Sequence, residues 1–254
     1  MLLGWVRAIL LQFAHPLIAA GVADHSSFRG GMGAALSRLH HTVGAMLALT
    51  FGGEDDRERA LEAIRTIHRR VHGSLSESCG RFPAGTPYSA EDPALLLWVH
   101  ATLIDTAIRI YDRFVTPLSA ASAQAYHAES RSIAIRLGVA PELVPPTLAE
   151  LRTFMAGAVA SGEVAVSPTA RSLRDAVRYP AAFPPRFVWD LAHLASDSVM
   201  HAQLRAQYGI GWSPRRAAGV ERLAAASRRL LPLVPPALRF VPHARAAERR
   251  VGPR

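Results

Sequence analysis

Asp92-Pro93-Ala94-Leu95-Leu96-Leu97-Trp98-Val99-His100-Ala101-Thr102-Leu103 is the stretch on which the fold class turns. Asp92-Pro93 opens a helix, because proline is tolerated at the first helical position. The apolar run then continues to about Phe114. Helical signals recur on both sides of it. Met32 to Phe51 reads as a helix stopped by Gly52-Gly53. Glu54 to Val71 has acidic residues in its first turn and basic ones in its last, as the helix dipole prefers, with Gly73 beyond. Residues 74–89 read as a loop. Pro117-Leu118-Ser119 caps a helix running to Leu137 and ending at Gly138, and Thr147 with Glu150 forms a capping-box pattern. Residues 166–185 are less regular, Phe187 to Tyr208 and Ala217 to Leu231 read as helices, and Pro-rich connections close the chain. Strand signals are nearly absent. No repeat or composition shift marks a boundary, so one all-α domain over residues 1–254 is expected.

Composition narrows the chemistry. Half of the 254 residues are apolar, enough for a sizeable core. A single cysteine, Cys79, excludes an internal disulfide framework and multi-cysteine zinc or iron–sulfur sites. The formal net charge is +9 and every basic residue is arginine, concentrated toward the C-terminus from Arg215 to Arg254. A basic tail suits an anionic membrane surface or nucleic acid. No aromatic-interleaved basic motif accompanies it, so nucleic acid is not expected as a partner. Leu2 to Ala23 is apolar but interrupted by Arg7, Gln12, His15 and Pro16, and reads as a buried first helix kinked or ended near Pro16. The expected location is cytoplasmic, with peripheral membrane contact allowed.

Eleven histidines are a high count. Arg38, His41 and Thr42 share one helical face, and on the following helix His68 and His72 are i, i+4 neighbours. His100 stands in the apolar helix with Asp105 beyond it. Taken singly, each has a plain structural reading: a core histidine, a charged helix face. The His68/His72 pair lacks the glutamate of a metalloprotease helix. The nucleophile elbow, phosphate loop and dinucleotide fingerprint are all missing. Chemistry here would be histidine-centred, and histidine is a common axial ligand of haem iron.

Read in order, several stretches resemble the catalytic domain of the MpaB oxygenase and latex-clearing rubber oxygenase family. They are Leu11 to Pro16 with Ala19 to Ser26, Arg38-Leu39-His40-His41-Thr42, Ile67 to Gly73, and Tyr88 to Pro93 leading into Trp98 to Thr102. Further on come Pro117-Leu118-Ser119, Tyr126 with Glu129, Leu137-Gly138-Val139, and Leu204 to Gly209 before Trp212-Ser213-Pro214. The resemblance implies a haem-enclosing helix bundle, globin-like in packing style, holding haem b. It makes His68 the proximal iron ligand, places Arg38 and Thr42 near the haem, and sets His72 where relatives often carry arginine. His100 is read as a supporting contact that donates its spare N–H to a carbonyl or carboxylate. Rubber oxygenases can place a distal lysine at the position of His41. This chain has no lysine, so His41 either coordinates the iron or lines the distal pocket. The family's proposed basic glutamate has no clear match, only Asp24 and His25 being polar near its place, and polyisoprene is not an expected substrate.

The implied activity is a haem-dependent oxygenase using dioxygen on a small or polymeric apolar substrate, isoprenoid-like in character. Two other readings stand beside it. One is a haem-binding sensor, carrier or store without oxygenase activity. The other is a helical module that docks on anionic membrane through its arginine-rich end.

Overall fold

The run opened by Asp92-Pro93 is a helix in the computed structural model, which describes residues 2–25, 43–179 and 185–252. In chain order the first helices are α1 (Leu2–Phe13), α2 (Pro16–His25), α3 (residues 43–51), α4 (Glu54–His68), α5 (Pro93–Phe114) and α6 (Ala120–Leu137). There follow α7 (Leu148–Ala160), α8 (Pro168–Ala176), α9 (Arg186–Ser198) and α10 (Ala202–Gln207). The last are α11 (Pro214–Leu230), α12 (Pro236–Arg239) and α13 (Pro242–Val251). Among the described residues the sheet content is one short antiparallel pair, β1 (His72–Ser74) with β2 (Pro87–Ser89). The architecture is all-α, as expected.

The Asp92 carboxylate accepts from the Ala94 N–H at 2.8 Å, capping α5 beside Pro93. Buried side chains recur on α5 from Leu95 to Phe114, and it packs against α1, α6, α7 and α11. Such a helix is hydrophobic on more than one face because it is enclosed on more than one side. In the main core Trp98 and Ile104 meet Leu10 and Leu11 of α1, Leu151 of α7 and Leu204 of α10. Full burial of each large apolar side chain is worth about 1.5–3 kcal/mol. Trp98 Nε1 donates to the Leu11 carbonyl at 2.9 Å and the Tyr208 hydroxyl to the Leu10 carbonyl at 2.7 Å, so the core aromatics also bond the backbone near the end of α1.

The N-terminal reading holds. α1 ends at Phe13 and α2 starts at Pro16 after a 99° bend. Proline lacks the N–H needed to continue α1 but suits a first turn. Among the described residues α5 alone is long and apolar enough by itself to cross a membrane, and 67% of that window is buried inside the protein. It behaves as the central core helix.

Four boundaries differ from the sequence reading. α4 stops at His68 rather than Val71, because the following residues are taken up by strand pairing: the Ala90 N–H donates to the Val71 carbonyl, and His72 and Gly73 pair with Ser89 and Tyr88. Gly73 therefore permits a close approach; a Cβ there would lie 2.6 Å from the Tyr88 hydroxyl oxygen. The irregular stretch 166–185 contains α8, capped by Ser167, whose Oγ accepts from the Ala170 N–H at 3.0 Å. The helix read from Phe187 to Tyr208 breaks after Ser198. Arginines satisfy the carbonyls freed there, Arg7 at Val199 (2.9 Å) and Arg205 at Asp197 and Met200 (3.0 Å each). α11 begins at Pro214, capped by Ser213, earlier than the expected Ala217. Of the helix read over Met32 to Phe51, residues 32–42 lie outside the described residues.

Candidate functional site

α4 lies on α6 through a small apolar cluster in which Leu61 and Ala60 meet Ile133 and Leu137. Arg65 donates to the Arg136 carbonyl at 2.6 Å across the same contact. This seating leaves His68, the last residue of α4, half-buried at the mouth of the β1–β2 hairpin. Burial draws its imidazole below the usual histidine range, and the nearby charge of Glu91 draws it partly back. Burial thus favours the neutral imidazole, and the ring has no hydrogen-bond partner among the described residues. A neutral imidazole with a free lone pair is the form that ligates a metal.

A second group stands on the other side of the hairpin. The buried Tyr88 hydroxyl donates to the Asp24 carboxylate at 2.6 Å. Burial and that carboxylate together push the phenol well above its ordinary pKa, so it stays a donor. His25 Nε2 donates to the His72 carbonyl at 2.9 Å, and its ring stands edge-on to Tyr88 with centroids 6.3 Å apart. Asp24 and His25, the polar residues at the end of α2, are thereby tied to β1 and β2. The Tyr88–Asp24 pair went unread because one partner is at a helix end and the other in an apparent loop 64 residues away.

The other expected site residues are distributed as follows. His72 is exposed in β1 and is not an i, i+4 helical partner of His68, because α4 has already ended. His100 is buried in α5, and its Nε2 has no partner among the described residues. The expected hydrogen bond from the His100 ring to a carbonyl or carboxylate is not made among the described residues. Burial, reinforced by neighbouring His127, lowers the His100 pKa to about 4. His127 on α6 is fully buried and was missed; its Nε2 donates to the Pro145 carbonyl at 2.9 Å, which leaves Nδ1 unpartnered among the described residues. Asp105 serves structure instead of His100: it accepts from Arg7 (2.7 Å), Arg109 (2.7 Å) and Arg152 (3.1 Å). Arg38, His41 and Thr42 lie outside the described residues. No three His, Cys, Asp or Glu side chains gather as a metal site among the described residues. An iron held in a porphyrin needs only one such protein ligand, and His68 fits that role.

Residues 1–229 match the family described as "ER-bound oxygenase mpaB/B'/Rubber oxygenase, catalytic domain". The chain is also similar to an uncharacterized protein of Mycobacterium bovis and to one of Mycobacterium tuberculosis, each 28% identical over 139 residues. Those 139 residues are 54% of this chain and 52% of each relative, so the chain spans about half the length of the curated relatives it matches. No solved structure matches it. With a family match running over residues 1–229, from α1 into α11, the chain belongs to the MpaB and rubber oxygenase catalytic-domain family.

Proposed function

We propose that this protein is a haem b-dependent oxygenase of an apolar substrate, with His68 as the proximal ligand of the iron. The observation that supports the reading is the half-buried ring of His68 at the end of α4, which has no hydrogen-bond partner among the described residues, in a chain whose residues 1–229 match the family. Haem supplies a redox-active iron for dioxygen chemistry, which no side chain in this protein can supply.

The chain's own residues do the rest. The α4–α6 contact holds His68 in place, as supporting contacts orient metal ligands generally. Arg38 is assigned to a propionate or the distal network, its planar fork matching a carboxylate. Thr42 donates a hydrogen bond in the pocket, and His41 lines the distal side. His72, exposed on β1, and His100, buried on α5, stand as surrounding groups rather than ligands. Apolar substrate and dioxygen are the partners of this reading, nucleic acid is not, and the location is cytoplasmic with peripheral membrane contact.

The choice between enzyme and haem carrier is made by oxygen uptake. Reduced, haem-loaded protein is mixed with squalene dispersed in detergent, and oxygen consumption is followed with carbonyl products. The oxygenase reading expects squalene-dependent uptake that His68→Ala abolishes and Arg38→Ala reduces by about tenfold or more, the scale of losing a charged contact. Haem-loaded protein that consumes no oxygen with squalene or other apolar alkenes contradicts it and leaves a carrier or store.

A further inference from the structure

Arg174, Arg178, Arg215 and Arg216 line one cleft of about 550 Å³ between α8, α9 and α11. None of these helices carries a residue assigned to the His68 site. The cleft also holds two acids: Asp197 accepts from Arg216 at 2.7 Å, and Asp190 accepts from the neutral Tyr179 hydroxyl at 2.8 Å and keeps its charge. Arg174 donates to the Tyr208 carbonyl at 2.7 Å. Arg178, stacked 5.4 Å from the Tyr179 ring centroid, and Arg215 have no carboxylate partner among the described residues. Four guanidinium groups thus face two carboxylates, a net excess of two positive charges at one concave place.

Two further features point the same way. Arg215 and Arg216 of the first turn of α11 line the cleft, beside the positive end of a 17-residue helix whose Ser213 Oγ accepts from the Arg216 N–H at 3.3 Å. Such an end favours an anion with several oxygens. The floor is apolar, made by Leu10, Leu194 and Ile210. The volume falls in the range of small-molecule sites, roughly 300–1,000 Å³.

We propose that this cleft binds a phosphorylated small molecule, with the phosphate on Arg178, Arg215 and the start of α11 and the organic part on Leu10, Leu194 and Ile210. Guanidinium forks match phosphate oxygens in pairs, and a phosphate has oxygens enough for two such groups at once. This site does not depend on the haem reading.

The test is calorimetric titration of the full chain with phenyl phosphate and with inorganic pyrophosphate. Wild type is compared with Arg178→Ala/Arg215→Ala and with a control, Arg245→Ala/Arg249→Ala, which removes the same charge from α13. Both cleft arginines are exposed and lack acid partners, so the thermal midpoint of the cleft variant stays at the wild-type value. Saturable binding is expected in wild type and control, weakened about tenfold or more in the cleft variant, as for loss of charge-assisted bonds. Absence of saturable binding in wild type, or equal weakening in both variants, overturns the proposal. Flotation with phosphatidate vesicles separates the two sources of phosphate: vesicle binding lost only in the cleft variant makes the ligand a lipid headgroup, and vesicle binding indifferent to it makes the ligand a soluble phosphate ester.

Discussion

At His100 burial and a neighbouring histidine hold the imidazole neutral, with a pKa of about 4 against about 6.5 in the unfolded chain. The unfolded state therefore binds more protons between those values, and folding stability falls as pH drops from about 6.5 toward 4. Urea unfolding at a series of pH values should show this slope, and His100→Gln, which cannot titrate, should make it shallower. At Asp105 the balance runs the other way. Burial opposes its charge, but Arg7, Arg109 and Arg152 overcome that opposition and hold the carboxyl below the usual carboxylate range. Its contribution is complete above the unfolded pKa of about 3.9 and is lost as pH falls through the lower folded value. Arg7 is the decisive partner, being as buried as Asp105, while Arg109 and Arg152 are each about two-fifths exposed and screened by solvent. Asp105→Ala leaves the Arg7 cation buried and unpaired, and should cost about 3–5 kcal/mol in denaturant unfolding at pH 7. An effect under about 1 kcal/mol would show that solvent reaches the cluster.

At the scale of elements, the helix ends written in local chemistry are the ones the sequence makes readable. Thr147 and Glu150 form the reciprocal capping box at the start of α7, with Thr147 Oγ1 accepting from the Glu150 N–H at 3.2 Å. Thr147→Ala should lower stability by about 1 kcal/mol, visible as a lower urea midpoint with unchanged slope. Asp92 before α5, Ser119 before α6 and Gly138 after it, at φ 118°, are equally local and equally readable. The end of α4 and the break between α9 and α10 were not legible. Both are decided by partners far away in sequence, the β1–β2 pairing for one and Arg7 at Val199 for the other. The site divides in the same way. The motif histidine at position 68 is visible in sequence, whereas its isolation from His72, and the tie between Tyr88 and Asp24, follow from the hairpin.

For the whole molecule, α5 is the element against which α1, α6, α7 and α11 pack, and α4 is seated on α6. α1 packs on both α5 and α9, and the Arg7–Asp105 pair links α1 to α5 at the buried centre. The family match spans residues 1–229 of this arrangement, from α1 into α11. The central claim, that this fold holds haem through His68, is tested most directly by absorption spectra of the protein purified from haem-replete cells. Spectra are recorded oxidised and after dithionite reduction, for wild type and for His68→Ala at matched folded content by circular dichroism. A Soret band in wild type that shifts on reduction, and is lost or displaced in folded His68→Ala, is the result the account predicts. A colourless wild-type protein, or a Soret band identical in His68→Ala, would contradict it.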